Sequence, residues 1–377
     1  MGFKVGQKII DKIRGKKHEL VIPESQKSAS FESKIKALLK VCAVYHYPET
    51  KNDYVPDFTK PVQVETVELL NEYAYKRALA ELETLDMGLL EETYRNLSDE
   101  YSKEIMLQVI AYNCFDEPKL RFPIFYSPDL ELSDYISTLA VDDEKIDIWN
   151  SNLSLSKLNL SKLGFNITLW QNPLGTIIDF VQEQYKYKHV VEAQEGDVAL
   201  DAGACYGDTA LYFSEKTKGA KVYSFEFIPE NLEMFRKNIE LNPQYKDNIE
   251  LVQRPIGSVS GNKLYAVPNG PGTNLTDKKT DNAIELETIT IDDFVAQNNI
   301  EKIDFIKMDI EGSEEDALKG AKKTISKFKP KLAICAYHKK DDLCILPQLI
   351  KSIVPEYKLY LNHYTINATE TVLFAKV

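Results

Sequence analysis

The sequence predicts a doubly wound α/β sheet preceded by a mainly helical region, and three observations carry that prediction. From Asp197 onward, short apolar runs alternate with amphipathic segments, as expected of parallel strands joined by crossover helices. The stretch Val198-Ala-Leu-Asp-Ala-Gly-Ala-Cys-Tyr-Gly-Asp-Thr-Ala-Leu-Tyr-Phe213 runs apolar, turns on Gly203 and Gly207, and restarts as a helix. Acids close successive apolar runs at Asp201, Glu226 and Asp309, and such a sheet brings those strand ends to one edge.

The N-terminal elements come first. Met1 to Leu20 is rich in lysine and arginine, with Val5, Ile9, Ile10 and Ile13 at roughly helical spacing. It reads as a solvated basic helix or as one in weak contact with a membrane surface. Residues 31–45 are expected to be helical, and Tyr45 to Pro61 reads as a connector. From Val64 to Cys114, apolar residues at helical spacing predict two to four helices. Past Glu117, the runs Leu120 to Tyr126, Ile146 to Trp149 and Phe165 to Trp170 suit short strands and loops. A boundary near residue 160 divides this region, 1–160, from the α/β domain, 161–377.

The second half follows a βα rhythm. Ile177 to Val191 is expected to be a helix, Val198 to Leu200 the first strand, and Thr209 to Phe213 the start of the next helix. Lys221 to Glu226 and Ile249 to Arg254 are the second and third strands, with Pro229 opening the helix between them. Turn signals in Gly257 to Ile291 predict a β-hairpin excursion. Ile303 to Met308 is the fourth strand, followed by one helix reaching about Phe328, and Lys331 to Ala336 is the fifth. Tyr357 to Leu361 and Thr371 to Val377 complete seven strands, expected as an antiparallel pair at the sheet edge.

Composition narrows the function. A formal net charge of -12 argues against nucleic-acid binding through a basic face. The five cysteines are odd in number and lack C-x-x-C spacing, so a disulfide framework and a zinc site are not expected, and a reducing cytoplasm is the simplest location. No run approaches ~20 apolar residues, so no transmembrane segment is expected.

The glycine turn reads as a cofactor loop, and what it lacks selects the cofactor. A dinucleotide loop reads G-x-G-x-x-G, but the later glycine positions are Cys205 and Asp208 here. A carboxylate at the helix mouth repels a pyrophosphate and suits a cationic group, which favours S-adenosylmethionine over NAD. Glu226, at the end of the second strand, is placed to accept from ribose hydroxyls.

Five stretches in order, namely Gly196 to Thr209, Tyr223 to Asn231, Thr290 to Phe294, Asp304 to Glu314 and Glu370 to Ala375, closely resemble the FkbM family of S-adenosylmethionine-dependent methyltransferases. The resemblance covers the C-terminal ~190 residues and leaves the N-terminal region without a role. It implies a seven-stranded Rossmann-like methyltransferase sheet with the last strand antiparallel. It also implies O-methylation of a hydroxyl on a sugar, glycan, glycolipid or glycosylated metabolite. Carried over, Asp201, Gly203 and Ala204 line the donor's methionine part, Asp208 and Thr209 face its amino-acid end, Glu226 holds the ribose, and Gly207 and Phe227 are further cofactor-binding candidates. Arg254 is an adenine-side candidate from fold position, and Asp309 borders the donor.

Methyl transfer to a hydroxyl needs a group that takes the proton. His338, just past the fifth strand, is the candidate base, or else caps a loop or binds substrate. Asp309 and Glu311 could hold a Mg²⁺, orient the sulfonium, act as base, or cap the following helix. Tyr337, Lys339, Asn362, His363 and Tyr364 are further acceptor-side candidates. The rival reading keeps the fold as a non-catalytic S-adenosylmethionine-binding or scaffold protein, with the N-terminal helices as its interaction module.

Overall fold

The structure is a computed structural model of the 377-residue chain; it describes residues 29–45, 72–115, 129–147, 154–267, 272–273, 275–280, 282–365 and 369–377. The basic N-terminus, the connector before Pro61 and the run Leu120 to Tyr126 lie outside the described residues. Contacts group the chain into two compact units, one comprising Pro128–Leu359 and Val372–Val377, the other Lys17–Ser127 and Tyr360–Thr371.

The smaller unit holds the helices Phe31–Tyr45, Glu72–Leu82, Met87–Asn96 and Glu100–Asn113. Asp86 and Asp99 cap the last two, accepting from Leu89 N at 3.0 Å and Ser102 N at 2.8 Å. Glu100–Asn113 is buried almost all round from Ile105 to Tyr112, so it is the core of this unit.

In the larger unit the helix Asp129–Ser137 leads into an antiparallel meander of β1 (Ala140–Asp147), β2 (Ser154–Asn159) and β3 (Thr168–Gln171). The helix expected over 177–191 is replaced by a short turn of helix, Pro173–Thr176, a π-turn, Ile177–Val181, and a bridge between Tyr187 and Val191. Left-handed backbone at Glu183 and Lys188, φ 52° and 51°, interrupts it. Tyr185 and Tyr187 turn into the core instead.

The main sheet then takes β4 (Ala199–Ala202), β5 (Val222–Phe225) and β6 (Ile249–Val252). The excursion is a separate antiparallel sheet of β7 (Lys263–Ala266), β8 (Leu275–Thr276) and β9 (Ile284–Glu287). Next come β10 (Phe305–Met308), β11 (Lys331–Cys335), β12 (Lys358–His363) and β13 (Thr371–Lys376). The order is β12-β13-β11-β10-β4-β5-β6, parallel from β11 to β6, with β13 antiparallel to β11. Every residue of β4 and β10 is buried, as the apolar runs demand of central strands covered on both faces.

One expectation is met and one needs correction. The last two strands lie together at one edge of the sheet, β12 outermost and, between it and β11, β13. Its first five residues are all buried, which only an interior position allows, whereas β12 alternates buried with more exposed residues and takes the edge. The helix after β10 breaks into Glu314–Lys319 and Lys322–Phe328. At the break a Cβ on Gly320 would stand 2.2 Å from the Gly257 carbonyl oxygen. Asp292 donates its N–H to Gly320 O at 2.9 Å and restarts the helix by accepting from Lys323 N and Thr324 N at 3.0 and 2.7 Å.

Candidate active site

The parallel strands end on one edge, and the reversal of strand order between β4 and β10 is where ligands enter such sheets. After β4, Gly203, Cys205 and Gly207 adopt φ of 80°, 43° and 80°, a left-handed run that folds the loop back on itself. The N–H groups of Gly203 and Ala204 both donate to the Phe225 carbonyl, at 3.1 and 2.9 Å, which fastens the loop to β5. A Cβ on Gly203 would stand 1.8 Å from the Asp309 carbonyl oxygen, so only glycine lets this loop lie against the end of β10.

Asp201 is wholly buried. Its Oδ2 accepts from Thr209 Oγ1 at 2.8 Å, and its Oδ1 pairs with Lys307 Nζ at 3.1 Å. Asp208, at the first turn of the helix Asp208–Thr217, accepts from Gln171 Nε2 at 2.5 Å and Thr209 N at 2.9 Å. Burial raises its pKa to about 6. Glu226 closes β5 and accepts from Phe227 N, Ile228 N and Asn231 Nδ2 at 2.6, 2.8 and 3.2 Å. Burial lifts its pKa, opposed by those hydrogen bonds. Arg254 turns away from this group: it donates to Thr288 O at 2.7 Å and pairs with Glu287 at 3.0 Å.

At the ends of β10 and β11 four ionisable groups converge. His338 Nδ1 lies 2.9 Å from Glu314 Oε1, and its Nε2 lies 3.5 Å from Asp309 Oδ1 and 3.8 Å from Glu311 Oε2. Asp309 also accepts from Tyr185 and Tyr337 hydroxyls, at 2.9 and 3.3 Å. Glu314 accepts from Ile310 N at 2.9 Å, so the turn is closed by Glu314, and neither Asp309 nor Glu311 caps the helix. Glu311 sits at φ 54° in this turn, and among the described residues no hydrogen bond reaches its carboxylate. Burial raises the Glu311 pKa to about 7 against the pull of His338. Burial opposes charge on His338, yet the hydrogen bond to Glu314 and the charges of Asp309, Glu314 and Glu311 raise it to about 9.

Oxygen and nitrogen atoms of Asp309, Glu314 and His338 lie within 4.8 Å of one another, but this set does not fit Mg²⁺. That ion asks for octahedral oxygen ligands. Here the imidazole sits amid the carboxylates, Glu314 already binds it, and Asp309 already accepts two tyrosine hydroxyls.

The larger unit thus brings together Asp201, Gly203, Ala204, Gly207, Asp208, Thr209, Glu226, Phe227, Asp309, Glu311 and His338 along one sheet edge and leaves Arg254 apart. Asn362, His363 and Tyr364 belong to the smaller unit, where Asn362 accepts from Tyr101 and His363 Nδ1 meets Thr371 Oγ1 at 2.7 Å. The sequence reading passed over Lys307, Tyr185 and Gln171, and gave Glu314 only a helix-capping part. Lys307 had a signal: it is the single charged residue of an otherwise apolar central strand, level with Asp201 on β4.

Residues 201–357 match the methyltransferase FkbM domain. The chain is 30% identical over 130 residues to the hexuronic acid methyltransferase AglP of Haloferax volcanii, covering 34% of this chain and 52% of that protein. It is 28% identical over 148 residues to the 2-O-methyltransferase NoeI of Sinorhizobium fredii, covering 34% of this chain and 59% of that one. The chain therefore spans little more than half the length of these relatives. The crystal structure of methyltransferase FkbM from Methylobacillus flagellatus superposes with a TM-score of 0.50 at 22% identity, over 77% of this chain and 58% of that one, a likeness of fold. Residues 201–357, which hold most of the parallel strands of the seven-stranded sheet, are thus similar to a methyltransferase FkbM domain.

Proposed function

We propose that the chain moves a methyl group from S-adenosylmethionine to a hydroxyl of a sugar-containing acceptor. The observation that carries this reading is one sheet edge on which a glycine loop against a helix mouth, a ribose-height carboxylate and a carboxylate–imidazole cluster follow one another. When bound, the donor supplies an electrophilic methyl on a sulfonium. Glu226 accepts from the ribose hydroxyls, which its remaining lone pairs allow. The loop at Gly203 to Gly207 and the helix mouth hold the amino-acid end.

On the acceptor side, Glu311 takes the hydroxyl proton as the oxygen attacks in line. It has no hydrogen bond to break first, its left-handed backbone fixes its direction, and a pKa near 7 suits a base at neutral pH. His338 is protonated at that pH and serves as the fixed counter-charge, so it orients the carboxylates and is not the base. Sugar acceptors are favoured because relatives named for hexuronic acid and 2-O-methylation match through this domain. Incubation with methyl-labelled S-adenosylmethionine and a panel of glycans and nucleotide sugars, read by mass spectrometry, tests the reading. Label on a sugar oxygen supports it; label on nitrogen, or on protein or nucleic acid instead, sinks it.

A further inference from the structure

Lys307 is a buried cation that neither donor nor acceptor chemistry requires. It is 1% exposed, between Ile306 and Met308 in the middle of the sheet. An apolar residue of similar size would cost nothing in desolvation there, so stability alone does not account for an ammonium. Its contacts do. Nζ donates to the Gly203 carbonyl at 2.5 Å, pairs with Asp201 Oδ1 at 3.1 Å, and lies 5.1 Å over the Tyr185 ring. Each partner leads onward: Asp201 holds Thr209 at the first helical turn, and the Tyr185 hydroxyl holds Asp309 at 2.9 Å.

We propose that Lys307 is a positioning residue, a clamp that holds the donor loop at Gly203 and Asp201 against the acceptor-side acid through Tyr185. Asp201 then acts on the donor through the loop, as the counter-ion of Lys307, with both its oxygens already engaged. The left-handed Gly203 places its carbonyl inward, where it needs a donor, and Lys307 provides one from the neighbouring strand. This inference rests on the S-adenosylmethionine reading.

The test is calorimetric titration of S-adenosylhomocysteine into the wild-type chain, Lys307→Met, and the double variant Asp201→Asn with Lys307→Met, each with a urea melt. Lys307→Met leaves Asp201 buried and unpaired and is expected to unfold easily. The double variant removes both charges and leaves an amide oxygen to accept from Thr209, so it is expected to fold and to melt well above Lys307→Met, short of wild type only by the unsatisfied Gly203 carbonyl. Its affinity should still fall about 10- to 100-fold, because the Gly203 carbonyl has lost its charged donor. A folded double variant that binds as tightly as wild type overturns the clamp alone. A wild-type chain that does not bind overturns the donor reading, and this role with it.

Discussion

Raising the pH through 9 should loosen the larger unit, because His338 then loses its proton. The ring is 8% exposed and lies between Glu314 at 2.9 Å, Asp309 at 3.5 Å and Glu311 at 3.8 Å. Burial disfavours its charge, but the hydrogen bond to Glu314 and the three acids prevail and lift the pKa from 6.5 to about 9. A folded-state value above the unfolded one stabilises fully below the unfolded pKa, and that contribution disappears as pH rises through the folded one. A shift of this size is worth about 3 kcal/mol. Glu311 shifts in the same direction: its pKa is raised from 4.5 to about 7, so its ionisation also costs stability as pH rises, mostly below the window in which His338 titrates. Urea melts from about pH 7 to about pH 9.5 should therefore show the wild-type chain losing most of that ~3 kcal/mol. His338→Gln should start lower at pH 7 and stay nearly flat. A flat wild-type profile, or an equal slope in the variant, would refute the electrostatic reading of the cluster.

Four other outcomes follow from the site and the fold. Glu311→Gln should lower methyl transfer about 10²- to 10⁴-fold with S-adenosylhomocysteine affinity unchanged, as steady-state rates beside calorimetry will show. The wild-type rate should climb with pH near 7, as Glu311 ionises, and decline above 9, as His338 discharges. Gly203→Ala sets a Cβ 1.8 Å from the Asp309 carbonyl oxygen at φ 80°, so a thermal melt should report a loss of ~3 kcal/mol or more, or no folded protein. Asp292→Ala uncaps Lys322–Phe328 and should cost ~1–2 kcal/mol in urea melts without changing donor affinity.

The strand ends and glycine turn of the candidate donor site were legible in the sequence because their signals are local. Gly203 and Gly207 mark the turn, and the apolar runs before Asp201, Glu226 and Asp309 mark buried strands whose ends must share an edge. Strand order was less legible. The last two strands read as a pair at the sheet edge, but which of them lies outermost follows only from the burial of Thr371 to Ala375 in β13. The break at Gly320 depends on a contact with Gly257, far away in the chain, that no helical periodicity encodes.

The acceptor side was legible only in part. Asp309, Glu311 and His338 are visible as strand-end residues, but their surroundings depend on Glu314, which lies against the imidazole, and on Tyr185, which reaches Asp309 from a segment far away in the chain. His338 stands out in the sequence for its ordinary near-neutral pKa, whereas the three carboxylates that raise that value come from a turn whose geometry the sequence does not specify. Lys307 and Asp201 could have been paired from register alone, since opposite charges on adjacent buried strands must neutralise each other.

Donor binding is the claim on which the rest depends. Titrating S-adenosylhomocysteine into the wild-type chain and into Glu226→Ala should give saturable binding at one site per chain in the first. In the second, loss of the ribose carboxylate should weaken it ~10-fold or more. Folded wild-type protein that takes up no ligand, or Glu226→Ala that binds equally well, would contradict the donor site described above.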